Sequence, residues 1–173
     1  MPEISRSILA VTVGRSRLGI AVFRNGTLTY YGGKSLRQYS SESDRHGAIH
    51  KFLHKLFHRY GINSLAMTDL NKQQRHSPAV ISVDSYVRSI AKDSHVTIRK
   101  YDAVTVRMMI CEKDKPTKDN TAAKLVERYG ELGRYHRGAN SWERRYYGFV
   151  FSAIAIGEVF TRDLRVRDRS TIS

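Results

Sequence analysis

The chain has 173 residues, 40% of them apolar, enough for one domain with a real core. Its 30 Lys and Arg stand against 16 Asp and Glu, a formal charge of +14 spread along the whole chain; such self-repulsion is best relieved by a polyanion, so nucleic acid is the first partner to consider. No apolar run approaches the roughly 20 residues of a membrane span, the opening MPEISRSILAVTVG lacks a signal-peptide layout, and the lone Cys111 excludes a disulfide framework or a cysteine metal site, so a cytoplasmic protein that does not enter the membrane is expected.

In chain order, Ile8–Val13 and Leu18–Arg24 are short β-branched, apolar runs joined by Gly14-Arg15-Ser16-Arg17, which predicts two antiparallel strands around a tight turn. Asn25-Gly26 is a strong hairpin signal and leads into a third strand over Thr27–Tyr31. After the polar stretch Ser40–Asp44, Ala48, Ile49, Phe52, Leu53, Leu56 and Phe57 recur at helical spacing until Gly61 stops them. Ile62–Leu70 reads as a buried strand with Asp69 at its end. Ser77-Pro78 starts a helix that carries Val80, Val83, Val87 and Ile90. Val96–Tyr101 is a further strand, Asp102 caps a short helix through Val106 and Ile110, and Thr117 caps another containing Ala122, Leu125 and Val126. Between Gly133 and Arg145 the spacing predicts a loop, and from about Glu143 to Phe160 a helix apolar around most of its circumference, hence buried.

The order βββαβαβα followed by two helices implies an α/β domain over residues 1–160, with a mixed sheet of three antiparallel strands plus parallel strands, flanked by helices. Residues 161–173, TRDLRVRDRSTIS, read as a basic, mobile tail.

Three segments carry a resemblance. In ILAVTVGRSRLGIAVFRNGTL, Gly14, Gly19, Ala21 and Gly26 fit a pattern in which an apolar strand ending in Asp-x-Gly passes through a basic turn into Gly-hydrophobic-Ala-hydrophobic. SLAMTDL fits a fourth strand ending in an acidic residue, and YGFVFSAIAIGEVF fits a last helix with Asp before Ala-hydrophobic-Ala-hydrophobic. Together they resemble RuvC-type and YqgF-type proteins of the RNase H-like superfamily. The resemblance implies a cleft where carboxylates from the first strand, the fourth strand and the last helix hold two Mg²⁺ ions.

This chain departs from that pattern. Thr12 stands in the place of the first aspartate, Ser152 in that of the helix aspartate, and Phe149 where RuvC proteins often have one more; only Asp69 keeps a carboxylate. Hydroxyls hold Mg²⁺ far more weakly than carboxylates, and Glu143 lies about 13 Å along a helix from Ser152. The expectation is a nucleic-acid-binding domain, for DNA or RNA, that has lost hydrolysis and needs no cofactor or metal. It would act alone, as a homodimer, or as a subunit of a nucleoprotein complex. The alternatives are an active, Mg²⁺-dependent, structure-selective endonuclease working through Asp69, and a protein-interaction subunit whose charge is incidental.

Candidate phosphate contacts are Arg15 and Arg17 in the first turn, Lys113, Lys115 and Lys118 around Pro116, and Arg134, Arg137, Arg144 and Arg145 interleaved with Trp142 and several tyrosines. The bland alternatives are turn solubility, a solvated charge run and anchoring of the final helix by its aromatics. His46, His50, His54 and His58 recur every four residues, but without an accompanying Glu they read as a solvated basic face.

Overall fold

The structure, a computed structural model, describes residues 6–136 and 140–171; the side chains of residues 141, 142 and 171 also fall outside the description. Strands β1 (Ser7–Val13), β2 (Arg17–Arg24) and β3 (Thr27–Ser35) form an antiparallel meander. Asn25 (φ 49°) and Gly26 (φ 82°) both lie in the left-handed region, the geometry that a two-residue hairpin needs to match strand twist. Helix α1 (Glu42–Tyr60) starts where the Ser41 hydroxyl accepts from the Asp44 amide at 3.0 Å and ends at the left-handed Gly61. Strand β4 (Ser64–Thr68), helix α2 (Pro78–Asp93) and strand β5 (Thr97–Tyr101) follow. Ser77, Asp102 and Thr117 cap α2, α3 (Ala103–Cys111) and α4 (Lys118–Arg128) as their sequence positions predict.

The sheet order is β3-β2-β1-β4-β5, with β4 parallel to both β1 and β5. Because side chains alternate across a strand, β1 feeds two cores. Leu9, Val11 and Val13 meet Ile49, Leu53, Val83 and Val87 of α1 and α2. On the other face, Ile8 and Ala10 meet Val106, Leu125, Ala153 and Ile156 of α3, α4 and α6. Each fully buried Leu or Ile contributes about 1.5–3 kcal/mol, so both faces of the sheet matter to stability.

Helices α5 (Gly133–His136) and α6 (Ser141–Thr171) complete the chain. α6 lies unusually close to the sheet because small residues face it. A Cβ on Gly157 would sit 2.3 Å from the Phe23 ring and 3.3 Å from the Ala10 methyl. The half-buried Glu158 carboxylate ties α4 to α6, pairing with Arg128 and accepting from the Tyr129 hydroxyl at 2.5 Å.

Residues 161–171, expected as a separate mobile tail, are instead the last turns of α6. Thr161 hydrogen-bonds back to the Gly157 carbonyl at 2.9 Å, the Tyr101 hydroxyl donates to Asp163 at 2.8 Å, and Asp168 forms a two-pronged pair with Arg6 at the entry to β1. The helix starts near Ser141 and no linker separates the two segments. Among the described residues, no helix is long and apolar enough to cross a membrane.

Candidate nucleic-acid interface

Thr12 lies near the C-terminal end of β1, buried and facing α6, and its hydroxyl donates to the Phe149 carbonyl at 2.7 Å. Its neighbour across the strands is Gly19, where an added Cβ would meet the Phe149 carbonyl oxygen at 2.1 Å and the Thr12 hydroxyl at 2.4 Å. The Phe149 ring covers Gly14 in the same way. β1, β2 and α6 are therefore in direct contact at this point, sealed by a neutral hydrogen bond. Ser152 lies one turn further along α6 and is half-buried.

Asp69 does not join this group. β4 ends at Thr68, whose cross-strand partner is Tyr101 on the α6 face. Asp69, one residue on, is exposed and pairs with Lys100 at 3.8 Å; Lys100 neighbours Met67, on the α1–α2 face. The strand alternation thus sets Asp69 opposite Thr12, while Thr68 shares the Thr12 face. Glu143 is committed elsewhere: its carboxylate accepts from the Asn140 amide at 2.9 Å while the Asn140 side chain accepts from the Glu143 amide, a capping box at the start of α6. Among the described residues, no group of three or more His, Cys, Asp or Glu could hold a metal ion. Hydroxyls, a backbone carbonyl and one opposed carboxylate do not fit a pair of hard divalent ions.

What the same end of the sheet does gather is positive charge. The β1–β2 turn is closed by the Gly14 amide donating to the Arg17 carbonyl at 2.9 Å, which leaves Arg15 exposed. The Leu36 amide donates to the Ser16 carbonyl at 2.8 Å and brings Arg37 to the turn. The Arg17 guanidinium lies over the rings of Tyr146 (5.9 Å) and Phe149 (5.5 Å). Burial first, then the like charge of Arg37 and, more weakly, of Arg145, pull the Arg17 pKa below its ordinary value, with Tyr146 opposing them. Arg17, Arg37 and Arg145 form no ion pair among the described residues. The Nη1 of Arg17 is buried with no hydrogen-bond partner there, a state that costs about 1–3 kcal/mol until an acceptor is supplied. Chemically, a guanidinium held over aromatic rings, with two further arginines nearby and no carboxylate paired to them among the described residues, can receive an oxyanion.

A second group adjoins it. Arg134 lies over Tyr135 at 4.7 Å, Tyr135 packs on Tyr147 at 4.3 Å, and Tyr147 meets Tyr146 edge-on at 5.1 Å. Lys113 and Lys115 belong to the α3–α4 connection and Lys118 opens α4; the connection is fixed by α4 itself: Asn120 donates to the Lys115 carbonyl at 2.8 Å and Lys124 pairs with Asp114 at 3.0 Å. Arg144 is exposed on α6, Arg137 lies outside the described residues, and so does the Trp142 side chain. Of the histidines, His46 stacks on Tyr86 at 4.0 Å and shares a 2.9 Å hydrogen bond with Ser82, whereas His50, His54 and His58 are exposed on α1.

No family model matches the chain, and no curated protein matches it. Solved structures do. Thermus thermophilus RuvC in complex with a Holliday junction substrate superposes with a TM-score of 0.65 over 90% of this chain and 97% of that one, at 16% identity. The fold is RuvC-like. The yeast mitochondrial Holliday junction resolvase Ydc2 gives a TM-score of 0.65 over 91% of this chain and 78% of that one, at 8% identity. Fowlpox virus resolvase with its Holliday junction DNA gives 0.55 over 91% and 98%, at 10% identity.

Placed on the RuvC-like sheet, three cations join the expected ones. Arg37 follows β3, and Lys72 and Arg75 lie in the loop after β4, where the Gln74 side chain donates to the Val13 carbonyl at 3.2 Å and the Arg75 Nε to the Leu70 carbonyl at 2.9 Å. Nothing in their local sequence distinguishes them from ordinary solvated charge. Only the loop hydrogen bonds bring them to the end of β1.

Proposed function

We propose that this RuvC-like chain binds nucleic acid through the arginine cluster at the C-terminal end of β1, and that it grips the phosphate backbone without hydrolysing it. The carrying observation is Arg17, held over Tyr146 and Phe149 with its buried Nη1 unpartnered among the described residues, beside Arg37 and Arg145, which form no ion pair there. Its neighbours Arg15, Lys72 and Arg75 extend the same charge. The proposed loss of hydrolysis is supported by the sealed seat of Thr12 against Phe149 and by Asp69 standing on the opposite face. Because T. thermophilus RuvC and the Fowlpox virus resolvase are solved with Holliday junctions, a four-way junction is the first ligand to try, beside duplex and single strand.

Fluorescence anisotropy across a salt series tests the proposal. If the three arginines each contact one phosphate, replacing them together with alanine lowers the slope of log K against log salt by about 2.7. Between 50 and 200 mM salt the parent protein then loses about 40-fold more affinity than the variant. An unchanged slope removes the cluster from the interface, and weak, salt-insensitive binding throughout favours the protein-interaction reading. The second reading, an active endonuclease, is favoured by the resolvase-like fold. It predicts Mg²⁺- or Mn²⁺-dependent junction cleavage abolished by Asp69→Ala, whereas the proposal predicts intact strands.

A further inference from the structure

Four tyrosines from three elements touch in sequence, beginning at the edge strand of the sheet. Tyr31 on the edge strand β3 meets Tyr135 of α5 edge-on at 6.1 Å, Tyr135 packs against Tyr147 at 4.3 Å with the planes 37° apart, and Tyr147 meets Tyr146 at 5.1 Å and 90°. A guanidinium stands at each end: Arg134 over Tyr135, within reach of the Tyr31 hydroxyl, and Arg17 over Tyr146. All four rings are half-buried, packed on the rim of the second core or on its neighbours and not sunk into it. Gly33 makes room for the row, since a Cβ there would lie 2.8 Å from the Tyr146 hydroxyl.

We infer that this tyrosine row is a stacking surface for unpaired bases, with Arg134 and Arg17 receiving the phosphates on either side. The inference rests on the nucleic-acid reading above and adds the substrate class: a strand with unstacked nucleotides beside a backbone held by the arginine cluster. Every base has a π-face, so a tyrosine row needs no particular sequence. Paired bases inside a duplex have both faces covered, which leaves gaps, flaps, junction centres and single strands as ligands. A row serving only to anchor α5 and α6 needs apolar bulk. It does not need an arginine at each end.

The probe is a labelled duplex, compared with the same duplex carrying a six-nucleotide gap that contains 5-bromodeoxyuridine. Expected is tighter binding of the gapped form, with light-induced crosslinks mapping to Tyr135 or Tyr147. The double variant Tyr135→Leu/Tyr147→Leu keeps apolar bulk and loses the flat faces. It should bind duplex as the parent does while losing about tenfold or more of the gap preference, a loss equivalent to roughly 1.4 kcal/mol of base stacking. Tyr135→Phe/Tyr147→Phe should restore that preference. Equal binding of gapped and intact duplex, or gap crosslinks that map away from the row, overturns the inference while leaving the arginine cluster standing. Absence of salt-sensitive binding to either probe overturns both. Crosslink mapping on the parent protein needs no variant, so a leucine variant that fails to fold still leaves a decisive result.

Discussion

Gly19→Ala probes the contact on which the proposed loss of hydrolysis rests. The added Cβ would lie 2.1 Å from the Phe149 carbonyl oxygen, 2.3 Å from its carbonyl carbon and 2.4 Å from the Thr12 hydroxyl. Two of these are backbone atoms of α6, so no side-chain rotation relieves the clash and the helix must lift from the sheet. Overpacking of this kind costs about 1–3 kcal/mol. Lifting also stretches the 2.7 Å Thr12 to Phe149 hydrogen bond, which adds about 1–2 kcal/mol. The expected loss is about 2–5 kcal/mol, or roughly 4–20 °C in Tm for a chain of this size. Gly47, inside α1 with nothing within 4 Å of an added Cβ, is the control. Alanine there should stabilise by about 0.5–1 kcal/mol, because a helical glycine is replaced without a clash. Urea unfolding followed by circular dichroism measures both. Should Gly19→Ala prove as stable as the parent, α6 is not seated on β1 and β2 as described, and the sealed cleft goes with it.

Thr12→Asp places a carboxylate at the end of β1 but sets it against the Phe149 carbonyl in a buried position, so its pKa is pushed up. The variant is then least harmed below about pH 4, where the group is neutral in both states, and loses stability as pH rises. Urea unfolding at pH 4 and pH 7, with and without Mg²⁺, checks this, and Mg²⁺-dependent recovery at pH 7 would contradict the reading. Asp168→Asn should loosen residues 161–171. In the parent, the hydrogen bond from Arg6, and then its charge, hold the Asp168 pKa below the usual carboxylate value. That contribution is present above about pH 4 and fades as pH falls through the depressed value. Hydrogen exchange over the end of α6, corrected for intrinsic rates, should show lower protection in the variant at pH 7 and a shrinking difference towards pH 3.

Local signals were legible where the physics is local. The Asn25-Gly26 hairpin and the caps at Ser77, Asp102 and Thr117 depend on residues within four positions of one another, and each forms as its sequence implies. The antiparallel pairing of β1 with β2 was also readable, as two β-branched, apolar runs around a tight turn. Asp69 was harder because strand parity is unforgiving: one residue beyond Thr68 reverses the face, and nothing in SLAMTDL marks where pairing stops. The helical end of the chain depends on partners elsewhere in the sequence, Arg6 with Asp168 and Tyr101 with Asp163, and composition alone makes the segment look like a tail. Arg37 and Arg145 are distant from Arg17 in sequence: Arg37 comes near it through the hydrogen bond of Leu36 to Ser16, and Arg145 because α6 crosses the end of the meander.

The placement of the acids sharpens the functional argument. Asp84 goes to Arg88, Asp114 to Lys124, Glu158 to Arg128 and Arg162, Asp163 to the Tyr101 hydroxyl, and Asp168 to Arg6. These pairs lie along α2, the α3–α4 connection and the far half of α6, away from the end of β1. In the proposed function, the arginines at the end of β1 stand where a two-metal nuclease of this fold would hold its ions, and their guanidinium groups take over attraction of the phosphate. Guanidinium donors stay charged and need no divalent ion to bridge them to an anion. Under the proposed function, Mg²⁺ therefore weakens binding only as a competing counter-ion, and chelating it should strengthen the complex slightly. A nuclease that relies on metal to hold its substrate loses affinity under the same treatment.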